Sequence, residues 1–228
     1  MELSLHTLLA AMRWAGCGEP HLIFAGGNRY LPPAADDRLK REMLSELTGL
    51  GLADGTGLEP DFEHVLRIID RPYTEYYAYL RAHEQHYGVL VAVQASSAVV
   101  ASHHAEWVRL DIVADEDLPS VLVSRLPPVT PAEFTPFSVA AHDYPGYRLE
   151  ARWLDRILTA PQFGMGHLHA ARRTKNGNRT RAKRPVSYLD TEYGRVGIER
   201  DTSDYLTVFP GEPGRLASRL AAARSILD

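Results

Sequence analysis

Three pairs of histidines are the residues of this chain whose type and spacing could bind a metal ion. The pairs are His83 and His86, His103 and His104, and His167 and His169. The last pair has the i, i+2 spacing that places two imidazoles on one face of a strand, as in some zinc sites. No carboxylate or cysteine accompanies any pair at a recognised ligand spacing. The sequence therefore predicts no metal site, and we expect solvated or half-buried histidines.

The short motifs that mark common catalytic and nucleotide-binding sites are absent from the sequence. GxSxG, HExxH, GxxxxGK[ST] and GxGxxG do not occur. Gly164 and Gly166 begin the last pattern, but the third glycine and the following helix are missing. Cys17 is the single cysteine, so no intrachain disulfide can form, and we expect a small buried residue there. We predict no catalytic residue and no cofactor; a pocket of perturbed titratable groups would reopen the question of an enzyme.

The most basic stretch is 172–184, which carries seven positive charges and no negative one. Clustered Lys and Arg release counterions from phosphate, which is how such segments bind nucleic acid. The stretch has no aromatic residue to stack on a base, and the whole chain has a net charge of −4. Because this composition buries little apolar area, we predict a mobile loop between two strands. A solvated loop, a contact with an acidic protein or lipid surface, and a contact with nucleic acid all stay open.

Runs of β-branched and aromatic residues, separated by polar turns, predict two antiparallel meanders. The predicted strands are 74–81, 88–94, 99–102 and 107–113 in the first meander, and 162–172, 186–189, 196–199 and 205–209 in the second. Each meander is followed by a helix, at 118–126 and from Pro213 onward. Four further helices are predicted at 3–14, 36–50, 60–70 and 147–159, with short strands at 21–24 and 137–141. The helix at 147–159 is expected to be buried through Leu149, Trp153 and Leu158.

The two meanders resemble each other at a constant interval of 98 residues. The matched pairs are Val100 and Ile198, Trp107 and Tyr205, Leu110 and Val208, Leu118 and Leu216, and Leu122 and Leu220. No gap is needed between 89–122 and the matching residues. The sequence thus predicts a duplicated unit of three strands and a helix, which with two copies is pseudo-symmetry and not a solenoid. Chance similarity between any two meanders followed by a helix is the alternative.

The predicted fold class is α+β, a quasi-two-fold duplicated unit with a mainly antiparallel β-sheet and helices packed on it. The N-terminal half covers 1–126 and the C-terminal half covers 137–228, with the basic loop at 172–184. Four prolines within 127–136 predict a linker between them. The 228 residues are 45% hydrophobic, which is enough for a substantial core. No signal peptide or uncharged run of about 18 residues is present, so we expect a cytoplasmic chain without membrane insertion.

The C-terminal block carries a resemblance to a known family. PVSYLDTEYGR at 185–195, YLTV at 205–208 and a closing helix from Gly214 rich in Leu, Ala and Arg resemble the last segment of EspG proteins, the ESX (type VII) secretion-associated chaperones of actinobacteria. The earlier half is similar in arrangement, with two amphipathic helices ending in GLGLA at 49–53, an apolar helix ending in DRP at 70–72, and then a meander that opens with aromatic residues. The resemblance covers nearly the whole chain, and 187–194 is its most specific part.

The resemblance implies a non-enzymatic cytosolic chaperone that binds the helical tip of a secreted PPE-like or WXG100-like protein and keeps it soluble for export. In the family, a loop between two strands of the first half and the last helices take part. The expected partner contacts are Arg81, His83, Glu84, Gln85 and His86 at the loop, and Leu216, Leu220 and Arg224 on the last helix. The loop at 82–87 is short here, and the long loop lies in the second copy.

The partner is expected to be a helical-hairpin protein, with a homodimer as a possible assembly and no nucleic acid expected. A second interpretation is an adaptor for nucleic acid or an acidic partner that acts through 172–184. Deletion of 174–183 distinguishes the two, because it would abolish the adaptor function and leave chaperoning almost unchanged.

Overall fold

The computed structural model describes residues 1–25, 33–54, 56–114 and 117–227. The first half contains β1 (Glu2–Ser4), α1 (Leu5–Trp14), α2 (Pro33–Gly49), α3 (Pro60–Asp70), β2 (Thr74–Ala82), β3 (Gln85–Gln94), β4 (Ser97–His104), β5 (Trp107–Val113) and α4 (Leu118–Val123). The second half contains β6 (Phe137–Ala140), α5 (Leu149–Thr159), β7 (Gln162–Arg173), β8 (Arg179–Arg181), β9 (Val186–Thr191), β10 (Gly194–Arg200), β11 (Tyr205–Pro210) and α6 (Pro213–Ser225). Short 3-10 turns span Leu22–Phe24 and Ala141–Asp143.

The described strands form a single sheet of 11 strands whose order reads almost the same from either end. The order is β1-β5-β4-β3-β2-β7-β9-β10-β11-β6, and β8 pairs with β7 outside this path. The strands β2 and β7 pair antiparallel at the centre, and every other pair of named strands is antiparallel too. This arrangement confirms the predicted α+β class with its mainly antiparallel, quasi-two-fold sheet.

Strand register corrects one detail of the predicted duplication. Gln94 pairs with Ser97 at one turn and Thr191 pairs with Gly194 at the equivalent turn, an interval of 97 residues. The interval becomes 98 only after the next turn, where His103–Val108 matches Arg200–Leu206. The predicted match of Val100 with Ile198 is therefore wrong, and these two side chains lie in clusters on opposite faces of the sheet. A one-residue slip moves a side chain to the other face.

The two faces of the sheet are covered differently. On one face, which we call the split face, α1, α2 and α3 pack on the first half and α5 packs on the second. On the other, the paired face, α4 and α6 pack together over the centre. Alternation along β2 places Tyr77 and Tyr79 toward the split face and Tyr76 and Leu80 toward the paired face.

Helix α5 buries a different stripe from the predicted one. Leu149 is 68% exposed and Trp153 is 41% exposed, so the prediction that both are buried is wrong. At 3.6 residues per turn these two positions lie on the side of the helix opposite to the one that contacts the sheet. The buried stripe consists of Ala151, Leu154 and Ile157.

Two predicted segments adopt other structures. The chain at Leu22–Phe24 is a 3-10 turn and not the predicted strand at 21–24; the two glycines expected to end that strand, at 26 and 27, lie outside the described residues. The prediction of a loop across 172–184 is also wrong, because β8 folds back on β7 as a hairpin. The turn is closed by backbone hydrogen bonds from Thr174 to Asn178 (2.9 Å) and from Gly177 to Thr174 (2.8 Å).

The block that carries the family resemblance forms part of the core. Arg195 Nε donates to Asp190 Oδ1 at 2.7 Å, and both side chains are at most 5% exposed. The guanidinium lies 4.3 Å from the centre of the Tyr188 ring. Gly164 and Gly166 face this cluster, and a Cβ on either would lie 2.5 Å or less from Asp190 or Tyr188. The block therefore specifies packing, and burial raises the pKa of the Tyr188 hydroxyl.

The proline-rich connection packs against the second half. The backbone N–H of Ala132 donates to the Arg195 carbonyl (3.0 Å), and the backbone N–H of Arg195 donates to the Thr130 carbonyl (2.8 Å). Its Nη2 also donates to the carbonyl of Pro127 at 2.8 Å. Across the described part of the chain, no helix is both long and apolar enough to cross a bilayer.

Candidate functional site

Two of the three histidine pairs singled out by the sequence, His103 with His104 and His167 with His169, make structural contacts. Within 1–25, 33–54, 56–114 and 117–227, no group of three or more His, Cys, Asp or Glu side chains is arranged to hold a metal ion. The contacts are His103 Nδ1 with the Ile23 carbonyl (2.7 Å), His104 stacked on Tyr87 (4.4 Å between ring centres), His167 Nδ1 with Ser187 Oγ (2.9 Å), and His169 stacked on Tyr77 (4.9 Å).

A buried polar cluster joins the basic hairpin to the centre of the sheet. Arg179 Nε donates to Glu75 Oε1, and the Glu75 side chain is only 4% exposed. Burial raises the pKa of Glu75 despite the neighbouring guanidinium. Burial, assisted by the positive charge of nearby arginines, lowers the pKa of both His21 and His169 to about 4. Because Glu75 is already paired with Arg179 in the core, we interpret the cluster as an anchor for the hairpin.

The described surface has a cavity of about 550 Å³ at the second half of the split face. The proline-rich connection, α5, the start of β7 and the turn between β9 and β10 form its walls. Three large aromatic side chains stand at its edge, Trp153 (41% exposed), Phe163 (39%) and Tyr193 (44%). Aromatic side chains that stay exposed beside a cavity are typical of surfaces that bind another protein.

Trp153 also lines a second cavity, of about 640 Å³, on the outer side of α5. The Arg156 guanidinium lies 5.0 Å from the centre of the Trp153 ring, a cation–π contact, and the indole lines both cavities. Trp153 is therefore an exposed aromatic side chain with a depression on either side of it.

The loop expected to bind a partner contacts this aromatic group directly. The His83 N–H donates to the Phe163 carbonyl at 2.7 Å, and the two rings stack with centres 6.4 Å apart. His83 adopts a left-handed conformation (φ 52°), which lets the two-residue turn close. We call Trp153, Phe163, Tyr193 and His83 the aromatic rim. The remaining loop residues are Glu84, Gln85 and His86, all exposed, and Arg81, which is half-buried.

The expected contacts on the last helix lie elsewhere. Leu216 and Leu220 are 0% exposed and belong to the core on the paired face. A side chain without accessible surface cannot contact a partner in this conformation, so we exclude both from the candidate surface. Arg224 is half-buried and donates from Nη2 to Thr74 Oγ1 at 3.4 Å. The structure thus does not bring the two predicted groups of contacts together.

Sequence reasoning missed Trp153, Phe163 and Tyr193. The available signal was in α5, where Ala151, Leu154 and Ile157 already supply a complete buried stripe and leave Trp153 outside it. Phe163 and Tyr193 gave no comparable signal, because aromatic residues in strands and turns are common in cores as well.

Comparison with known proteins supports the resemblance seen in the sequence. A model of the EspG family matches residues 4–222. A search of curated proteins found no sequence match. Among solved structures, the chain is similar to the Mycobacterium tuberculosis type VII secretion system chaperone EspG5, solved in complex with a PE25–PPE41 dimer. The TM-score is 0.77 at 10% sequence identity, over 98% of this chain and 95% of that chain. At that identity the match establishes the shared fold.

Proposed function

Because the chain belongs to the EspG family, we propose that it is a type VII secretion chaperone that binds the helical tip of a PPE-like protein at the aromatic rim. The solved EspG5 structure is a complex with a PE–PPE dimer, which supports a partner of this class. We also propose that the protein acts in the cytoplasm and performs no catalysis.

The observation that carries the proposal is the exposure of three aromatic side chains beside a cavity of about 550 Å³. A helical tip that is destined to be packed later exposes apolar side chains, and these aggregate unless they are covered. Full burial of one large apolar side chain contributes about 1.5–3 kcal/mol. An apolar side chain of the tip can occupy the cavity while the rim closes around it.

The geometry agrees with recognition of a helix in a groove. In that mode, side chains at i, i+3, i+4 and i+7 of the bound helix enter a depression with apolar walls. The walls here come from a helix, a strand and a turn that pack on one core, so the groove exists before the partner arrives. A preformed groove costs little conformational entropy on binding.

Tyr193 and Tyr205 offer a matched test, because both are 44% exposed and only Tyr193 belongs to the rim. We expect Tyr193→Ala to weaken the complex with a co-expressed PE–PPE dimer by at least tenfold, since an aromatic anchor is lost. Tyr205→Ala should bind as the unaltered protein does. Isothermal titration with the purified dimer measures both, and size-exclusion chromatography reports the stoichiometry.

Trp153 and Trp107 form a second matched pair, 41% and 55% exposed respectively. Trp153→Ala should weaken the complex and Trp107→Ala should not. If both members of each pair had equal effects on the affinity, binding at the rim would be contradicted. If the PE–PPE dimer did not bind the protein and was as soluble without it as with it, the chaperone function itself would be contradicted.

A further inference from the structure

The centre of the split face lies between the helices of the two halves and is exposed to solvent. Its side chains come from β2, β7, β8 and β9, and strand register places them next to one another. We call this surface the central floor; it consists of Tyr79, Arg81, His167, His169, Arg181 and Ser187. His167 and Arg181 are exposed, and the other four are half-buried.

The central floor is positively charged although the whole chain is negative. Glu75 is the one carboxylate that the described strands β2, β7, β8 and β9 direct to this face, and it is buried and paired with Arg179. Arg81, Arg173 and Arg181 point to the same face. That carboxylate is thus already neutralised, and the other charged side chains that these four strands direct to this face are cationic.

Several of these cations have unused hydrogen-bonding capacity. Among the described residues, Arg81 Nε and Arg173 Nε are buried without a hydrogen-bond partner. Lys175, Arg181 and Lys183 are exposed, and no described carboxylate forms an ion pair with them. The two buried Nε atoms are out of reach of a partner, whereas the exposed side chains of Lys175, Arg181 and Lys183 can pair with an incoming carboxylate.

The central floor is continuous with the aromatic rim. Arg81 lies near the end of β2, two residues before His83 in the following turn, and its register partner Met165 follows Phe163 by two residues on β7. The central floor runs along β7 from Phe163 to Ala171, and Ala171 is the register partner of Arg181 on β8. Eight residues of strand correspond to about 26 Å. A segment of about eight extended residues would therefore reach from the rim to the basic hairpin.

We propose that the central floor binds an acidic peptide segment of the same partner whose apolar tip occupies the aromatic rim, an inference that rests on the proposed function. Carboxylates of that segment pair with Arg81 near the rim and with Arg181 at the hairpin. Apolar contacts at the rim supply affinity, and the charged floor selects partners that carry the acidic segment and steers their approach.

The local pattern of charge favours a short peptide over nucleic acid. A long polyanion would experience the net charge of −4 of the whole chain as well as the cations of the floor. A short acidic segment experiences mainly the charges within one Debye length, about 8 Å at physiological salt. The exposed cations without an ion pair are also few compared with the 6–10 phosphate contacts typical of nucleic-acid proteins.

The test uses the full chain and two labelled probes of equal charge, a glutamate-rich peptide of ten residues and a single-stranded DNA oligonucleotide. Fluorescence anisotropy at 50 mM and 200 mM NaCl should show peptide binding that weakens with salt. Arg181→Glu should weaken it at least tenfold, and because Arg181 is exposed the variant should fold normally. Arg13→Glu, also exposed but on α1, is the control and should bind as the unaltered protein does.

Three results would overturn the inference: no peptide binding at 50 mM NaCl, equal binding by Arg181→Glu and the unaltered protein, or oligonucleotide binding tenfold tighter than peptide binding. The chaperone function is judged separately with the PE–PPE dimer. If the dimer binds Arg181→Glu as tightly as it binds the unaltered protein, and with the same salt dependence, the proposed contact with an acidic segment is wrong. The proposed chaperone function would stand in that case. Loss of dimer binding in Tyr193→Ala alone supports the rim and not the floor.

Discussion

At the scale of single residues, the sequence block most typical of the family is explained by the buried pair of Asp190 and Arg195. The carboxylate and the guanidinium are 2% and 5% exposed and 2.7 Å apart. Tyr188 covers the pair on one side, and two glycines of β7 leave room for it. A change in one member would therefore leave a buried charge without its partner or place atoms too close together.

Asp190→Ala should lower the free energy of unfolding by about 3–5 kcal/mol, because Arg195 would stay buried without its counter-charge. Urea denaturation followed by circular dichroism measures the change. Glu42→Ala, which breaks the exposed pair of Arg38 and Glu42, is the control and should change stability little. If both substitutions lowered the free energy of unfolding by the same amount, burial of the ion pair would not be the cause of the loss.

The half-buried histidines His21 and His169 make stability depend on pH. Burial lowers the pKa of His169 to about 4, whereas the unfolded chain titrates near 6.5. Between these values the unfolded state binds the proton and the folded state does not, so the histidine contribution to stability falls as the pH falls from 6.5 to 4. Glu75 acts in the opposite direction, because its raised pKa favours the folded state at low pH.

His169→Gln should flatten the loss of stability between pH 6.5 and pH 4, since its amide does not titrate. Urea midpoints at pH 7, 5.5 and 4.5 for the unaltered protein and the variant give the two slopes. Parallel curves would mean that His169 does not gain its proton on unfolding. His21, whose pKa is also lowered to about 4, should keep part of the slope in the variant.

At the scale of helices and strands, periodicity predicted most elements and their type. The meanders and the closing helices lie where their β-branched runs and apolar stripes place them. The basic hairpin could not be predicted this way, because its stability comes from pairing with β7 and from the contact of Arg179 with Glu75, more than 100 residues away in sequence. Composition alone favoured a loop there.

Leu122 of α4 and Leu220 of α6 test the equivalence of the two closing helices. Both are 0% exposed and lie in the same core cluster on the paired face. Leu122→Ala and Leu220→Ala should each lower the free energy of unfolding by about 2–5 kcal/mol, because each leaves a cavity in the same packed layer. Chemical denaturation measures both. The control is Leu44→Ala, at a position that is 38% exposed. If the free energy of unfolding fell by widely different amounts in the two buried-leucine variants, equivalent roles would be contradicted.

At the scale of the whole molecule, the interval between related residues predicted a duplicated sheet, and the strand order agrees with it. The candidate site was only partly predictable. The loop around His83 was expected from the resemblance, whereas Trp153, Phe163 and Tyr193 come together only through the packing of α5, β7 and one turn. A surface assembled from three distant segments has no local signature in the sequence.

The two outermost strands of the sheet, β1 and β6, are three and four residues long. A long free edge offers unpaired N–H and C=O groups on which another chain can form cross-β structure. Here each edge strand offers only three or four residues of backbone with which another chain could pair. The edges of this sheet therefore give another chain little backbone on which to add a strand.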